Sequence, residues 1–333
     1  MPKGILERLA EGPVLGDGGY LLELEKRGYV QAGPFTPEVV IEHPDALVQL
    51  HREFLRAGAE VLQTMTFYAS DDKLATVGME GTVDDINRNA VRIARGVASE
   101  GDALVAGNLS LTWAYDPADD ASPDHVRGLF DRQLQDQLDA GPPDFWIGET
   151  FSYLGEALLF VERAKATGLP VMVTMSFETL PAKTYEGDGP GEAARRLADA
   201  GADIVGVNCL NGPGEQLPIA EAMVGALGGA VPVAAQPVAY ATSNEAPDFT
   251  SGDAFPFALT PMTLARGEMA AFAARAKDAG VRYIGSCCGS VAEHVRAMAK
   301  VLGKLPEKER DWKSPSGKVM SAYEYHGHTE TEV

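Results

Sequence analysis

Basic residues are scarce in this chain: 28 Lys and Arg stand against 48 Asp and Glu among 333 residues, a formal charge of -20 at pH 7. A surface of that sign repels phosphate backbones and anionic lipid, so small molecules are the expected partners rather than nucleic acid or a membrane. Long apolar runs are lacking too. No stretch approaches the ~18 residues of a spanning helix. The first ten residues, MPKGILERLA, carry acidic and basic groups where a secretory leader needs its apolar run, so a cytoplasmic location is expected. Only three cysteines are present. An odd, small number argues against a disulfide framework, which leaves packing, catalysis or metal binding to explain each thiol.

Apolar residues make up 45% of the chain, enough for a sizeable core, and the length suits one large α/β domain. Short apolar, β-branched runs recur from the N-terminus to about residue 301: PVLGDGG (13 to 19), VLQTMTF (61 to 67), ALVAGNL (103 to 109), DFWIGET (144 to 150), VMVTMSF (171 to 177), IVGVNC (204 to 209), VPVAAQPV (231 to 238) and RYIGSCC (282 to 288). Between them lie segments with one apolar face at helical spacing, such as 37 to 58, with Ala46, Leu47, Leu50, Phe54 and Leu55, and 191 to 201. Glycine-containing turns at 57 to 60, 100 to 103, 200 to 203 and 279 to 282 are natural helix stops. Eight strands apolar on both faces, alternating with helices, predict a single (β/α)8 TIM barrel over residues 1–303, with an eighth helix over 290 to 302. Residues 304–333 are polar and poor in aliphatics, which reads as a short C-terminal extension. The irregular insertion 239 to 261 follows the seventh strand and is placed to cover the barrel mouth.

In such a barrel, catalytic groups come from the carboxyl ends of strands, and all three cysteines fall there: Cys209 after strand six, Cys287 and Cys288 after strand eight. Each alone could be a small buried hydrophobe. A continuing strand cannot point both members of a vicinal pair into one core, and a vicinal disulfide would leave Cys209 unexplained. Three thiolates on one Zn²⁺, with the fourth position open, account for every cysteine, and Gly285 and Gly289 give the backbone room to aim both sulfurs at one point. The GDGG stretch (16 to 19) is either a tight βα turn or a site where Asp17 meets an ammonium group and the Gly18 and Gly19 amides approach a carboxylate. Glu149, flanked by apolar residues, needs a partner if buried, and an ammonium ligand is one. Asp17 and Glu149 together suit an α-amino acid.

These stretches, with EKRGYVQAGPFTPE (25 to 38), HREFLRAG (51 to 58), QTMTFYASDDKL (63 to 74), GVNC (206 to 209), QPVAY (236 to 240), FPFALTP (255 to 261) and GVRYIGSCCG (280 to 289), resemble the betaine–homocysteine S-methyltransferases of the zinc-dependent homocysteine S-methyltransferase superfamily, over about residues 4 to 301. The resemblance implies a zinc ion on Cys209, Cys287 and Cys288, homocysteine sulfur at the open position, and methyl transfer from a quaternary ammonium carboxylate to give methionine. It assigns Asp17 and Glu149 to the homocysteine amino group and the Gly18–Gly19 region to its carboxylate, so that Cys209, Cys287, Cys288 and Glu149 form the catalytic group. Phe67 and Tyr68 match donor-pocket positions, where aromatic faces suit a cation that cannot donate hydrogen bonds; by themselves they read equally as core residues. Two positions depart from the pattern: Phe35 replaces a typical Trp, and Thr150 a typical Tyr. Both border the donor pocket in the family, which admits a sulfonium donor such as S-methylmethionine or dimethylsulfoniopropionate as the alternative. Trp113 is either a replacement cage wall or a surface residue, and Trp146 is a further aromatic. The longer family members carry a C-terminal dimerisation extension that this tail is too short to reproduce, which leaves a homo-oligomer as one option. A different class, a non-catalytic zinc/thiol redox-sensing barrel, would explain the cysteines but not an amino-acid pocket.

Overall fold

The computed structural model describes residues 3–305 and 321–322. All eight expected strands are present, six of them shorter than the runs that marked them and β3 and β4 of equal length but shifted by one residue: β1 (Val14–Leu15), β2 (Val61–Gln63), β3 (Leu104–Ser110), β4 (Phe145–Phe151), β5 (Val171–Met175), β6 (Ile204–Asn208), β7 (Val233–Gln236) and β8 (Tyr283–Ile284). They pair in parallel in the order β1-β8-β7-β6-β5-β4-β3-β2, with helices between them. At the seam the Glu60 N–H donates to Leu15 O and the Leu15 N–H donates to Glu60 Oε2, both at 2.9 Å, so the ring is nearly closed: a (β/α)8 barrel.

Side chains alternate across each strand, and the alternation divides the interior into levels. Val14, Val61, Leu104, Ala106, Phe145, Ile147, Met172, Ile204, Ala234 and Tyr283 form one apolar cluster inside the barrel. Ile5 and Leu9 of helix Ile5–Glu11 join that cluster and close the amino-terminal end. Beyond the apolar level, the positions of the same parity turn polar and stay buried, Gln63, Asn108, Glu149, Thr174 and Gln236 two residues on and Asn208 four residues on, past Gly206. The strands therefore deliver a polar ring at the carboxyl end above a dry plug. Trp146 has the opposite parity. It is fully buried between sheet and helices, its Nε1–H donating to Thr167 Oγ1 at 2.8 Å, and is a core residue.

Local chemistry explains where helices start and stop. The 37 to 58 segment is two helices, Val39–Glu42 and Pro44–Ala57, because the residue before a proline avoids helical dihedrals and His43 sits at φ -138°. Gly58 and Gly201 take the left-handed conformation at helix stops, at φ +104° and +99°; the 100 to 103 turn does not use Gly101 this way, its helix already ending at Ala98. The eighth helix is Ala292–Val301. Lys304 pairs with Glu60 at 2.8 Å and Leu305 is buried, so both pack with the barrel; the rest of the expected extension, 321–322 apart, lies outside the described residues. Among the described residues no helix is long and apolar enough to cross a membrane.

Candidate active site

The strands end early, and the residues just past them build the mouth. Cys209 follows β6 at φ +57°, a left-handed conformation that costs a non-glycine residue about 1–3 kcal/mol and is held by the Cys209 N–H to Gln236 O bond of 2.9 Å. After β8 the chain is tied to the β7 loop by Cys287 N–H to Pro237 O and Ala239 N–H to Cys288 O, each 2.8 Å. Of the two flanking glycines only Gly289 turns left-handed, at φ +78°, with the Tyr240 ring 2.5 Å from where a Cβ would stand; Gly285 instead leaves room for the Gln236 side chain. The outcome is three convergent sulfurs, all within 4.8 Å of one another, with Cys209–Cys288 at 3.8 Å and Cys287–Cys288 at 4.0 Å. Ligands of a tetrahedral ion at the usual Zn–S length of about 2.3 Å stand ~3.8 Å apart, so the cluster fits a metal ion of that kind. All three thiols are free, and the vicinal pair at 4.0 Å is far beyond the ~2.05 Å of a disulfide.

Beside the sulfurs lies a cleft bounded by Gly18, Gly19, Gln63, Phe67, Asn108, Glu149 and the three cysteines. Glu149 is 8% exposed and accepts from Asn108 Nδ2 at 2.5 Å and Asn208 Nδ2 at 3.0 Å. Burial raises its pKa to about 7, the Asn108 hydrogen bond lowers it in part, and the charge of Asp17 raises it further. Asp17 stands behind the cleft wall, 1% exposed. It accepts from the Gln63 N–H (2.8 Å), Gln63 Nε2 (3.2 Å) and the Tyr20 hydroxyl, and burial outweighs these bonds to raise its pKa to about 6. Two buried carboxylates share the mouth, and among the described residues neither has an ion pair. A cationic ligand completes such a site. Gly18 and Gly19 are required by packing: a Cβ would lie 2.5 Å from the Phe54 ring at one and 2.6 Å from Cys287 O at the other. The Gly19 N–H already donates to Ser290 O at 3.1 Å, which leaves the Gly18 amide as the one facing the cleft unpaired among the described residues.

Behind Asp17 the Tyr20 hydroxyl also meets His51 Nδ1 at 3.0 Å; with Tyr20 donating to Asp17, the ring must carry its proton on Nδ1. Burial lowers the His51 pKa to about 3. The unfolded ring titrates near 6.5, so the neutral folded ring stabilises the protein fully above that pH, and the contribution is lost at about 1.4 kcal/mol per pH unit as pH falls toward 3. His51→Gln is expected to flatten the fall in unfolding free energy between pH 6.5 and 4.5 by about that slope. Urea titrations at several pH values measure it, and parallel curves for both proteins would refute the assignment.

The aromatic residues separate into two sets. Phe67, Tyr68 and Trp113 are together, with ring centroids 4.3 and 5.3 Å apart in sequence order. Phe35 packs instead on Phe255 at 5.9 Å, which continues through Phe249 to Tyr240. That second set comes from the 239 to 261 insertion, fastened over the mouth by the Phe249 N–H to Leu210 O and by Asn211 Nδ2 to Pro247 O. Thr150 does not join either set; its N–H and Oγ1 both pair with the Asn208 side chain at 2.8 Å. Phe35, Tyr68, Trp113, Thr150 and Cys209 share one property that no sequence pattern shows: with Leu210 they are the non-glycine residues at positive φ among the described residues. Backbone strain is concentrated at the mouth, as it is at functional sites generally. Sequence reasoning missed Asn108, Asn208, Gln63, Tyr20, His51 and Lys73. The first three had a signal: each has the parity of an apolar inward position on its strand, Gln63 and Asn108 two residues past it and Asn208 four.

Fold and site together define a (β/α)8 barrel with three convergent thiols that could hold a metal ion beside an acidic cleft. The homocysteine S-methyltransferase family model matches residues 14–302, and the chain belongs to that family, a family of methyltransferases. It is 47% identical over 316 residues to betaine–homocysteine S-methyltransferase 1 of Danio rerio, covering 92% of this chain and 78% of the relative. It is also 43% identical over 324 residues to the S-methylmethionine–homocysteine S-methyltransferase of Pongo abelii, covering 94% and 86%. The fold matches that of the homocysteine methyltransferase MmuM of Escherichia coli in its metallated form, with TM-score 0.69, 22% identity and coverage of 89% and 99%.

Proposed function

We propose that this protein transfers a methyl group from a small onium compound, glycine betaine foremost, to homocysteine, giving methionine. The observation that carries the reading is that the three sulfurs and Glu149 line one cleft. Cys209, Cys287 and Cys288 would hold zinc, which when bound would lower the pKa of a coordinating thiol so that a thiolate persists at neutral pH. Glu149 binds the homocysteine ammonium, held in place by Asn108 and Asn208. Asp17 adds its charge from behind Gln63, and the Gly18 amide faces the carboxylate. Phe67 and Tyr68 offer aromatic faces to the donor cation. In the transfer the homocysteine sulfur gains a bond to methyl carbon while that carbon leaves the donor nitrogen, whose electron pair stays with the dimethylglycine product. No general base is needed at that step, because the attacking sulfur is already a thiolate.

A sulfonium donor is the second reading. Phe35 in its own aromatic set and Thr150 bonded to Asn208 leave fewer aromatic walls around the donor than a Trp and a Tyr would, and a relative at 43% identity is named for S-methylmethionine. Methionine formation by the zinc-loaded protein with glycine betaine, S-methylmethionine and dimethylsulfoniopropionate decides between them. Glycine betaine is expected to give the highest kcat/KM; a sulfonium donor better by tenfold or so, about 1.4 kcal/mol, would reverse the order. A metal store or redox sensor would form no methionine with any of the three.

A further inference from the structure

Lys73 is a buried amine near the mouth with no carboxylate at ion-pair distance among the described residues, and burial lowers its pKa to about 7, so that an anion brought to it would hold it in the ammonium form. The residue is 5% exposed, and its Nζ has no hydrogen-bond partner among the described residues. It lies over two aromatic faces, 4.5 Å from the Tyr68 centroid and 2.7 Å from that of Trp113. The acidic groups around it act on it only from a distance: Glu156, whose Oε1 accepts from the Thr112 N–H and Oγ1, and Asp72, which pairs with His125, both favour its charged form without outweighing burial. Charging a buried amine without an anion is costly, so one set a single aromatic ring behind a ligand cleft is complementary to an anionic group brought to that side of the cleft. Tyr68 links it to the cleft, since its ring meets Phe67 of the cleft wall at 4.3 Å. The Trp113 face, which the sequence offered as a cage wall for the donor, is occupied by the chain's own cation.

Resting on the methyl-transfer reading, we propose that Lys73 selects the methyl donor by its carboxylate. A simple onium cation brought against Phe67 and Tyr68 meets a second positive charge and is rejected. A zwitterionic onium carboxylate places its anion between the two cations and is accepted. Lys73 is thus a specificity residue, and it selects for zwitterions whether the onium atom is nitrogen or sulfur.

Matched donor pairs test this: glycine betaine against tetramethylammonium, and dimethylsulfoniopropionate against trimethylsulfonium, each with the unsubstituted protein, Lys73→Met and Lys73→Arg. Loss of a charge-assisted contact predicts that kcat/KM for the carboxylate donors falls about 10- to 150-fold in Lys73→Met. The carboxylate-free donors should be used as well as before or better, Lys73→Arg should recover part of the loss, and the KM for homocysteine should stay within about twofold. Equal losses on both members of each pair, or no loss on either, would overturn the assignment of Lys73 while leaving methyl transfer intact. No methionine from the unsubstituted protein with any donor would overturn both.

Discussion

Cys209→Ser is expected to abolish metal retention and, with it, methyl transfer. The serine oxygen is a harder and far less acidic ligand than a thiolate, and two remaining sulfurs from one vicinal pair cannot hold a tetrahedral ion from opposite sides of the mouth. Cys209 is also the ligand whose position depends on a left-handed backbone, so its sulfur has no substitute elsewhere on β6. After dialysis against a weak chelator the unsubstituted protein should retain about one zinc per chain and the variant almost none, with activity down about a thousandfold or more. The buried barrel interior does not involve this residue's sulfur, so the far-ultraviolet circular dichroism should be unchanged. A variant that keeps both its metal and its rate would remove the cysteine cluster from the chemistry.

Glu149→Gln is the second large effect, and it separates charge from shape. Glutamine keeps the size of the side chain but presents no negative charge to an ammonium group. Loss of that buried ion pair should lower kcat/KM for homocysteine about 10- to 150-fold, mostly through KM. The pH profile gives an independent reading. With burial holding the free-enzyme pKa near 7, the carboxylate is ionised above that pH and neutral below it. Ammonium binding needs the ionised form, so kcat/KM should fall about tenfold per unit as pH drops below 7, and the limb should vanish in the variant. Homocysteine itself favours the carboxylate, so the corresponding limb in kcat should lie at lower pH. An acid limb that survives in Glu149→Gln would assign the titration to another group, with Asp17 the first candidate.

The site was legible where chemistry is concentrated in rare residue types. Three cysteines in a long acidic chain, all at strand ends, leave few explanations, and a lone glutamate in an apolar strand is costly unless something pairs with it. The family pattern then supplied roles for Asp17, Gly18 and Gly19, and the coordinates refine two of them: Asp17 stands behind Gln63, and the Gly19 amide is already taken by Ser290 O. Polar residues of common type were not legible. Asn108 and Asn208 look like any strand asparagine until the barrel closes and brings both to Glu149 from β3 and β6, 41 and 59 residues away along the chain.

By itself the sequence determined the architecture, because eight two-faced apolar runs separated by amphipathic segments can bury themselves only as a parallel sheet clothed in helices. It also singled out the three thiols that the fold brings within 4.8 Å of one another, since the chain has no others. Tertiary structure decided the donor side of the mouth. Phe35, Thr150, Trp113 and Lys73 are distant in sequence or unremarkable in type; a left-handed backbone aims the first three, and Lys73 is set by the helix Asp71–Ala75 that carries it. Trp113 could be read as a wall for the donor cation; only the folded chain shows Lys73 already against its face. The physical reason is that burial and aim are properties of the closed barrel. A sequence states which groups carry charge, and the fold states which of those charges is left without a partner.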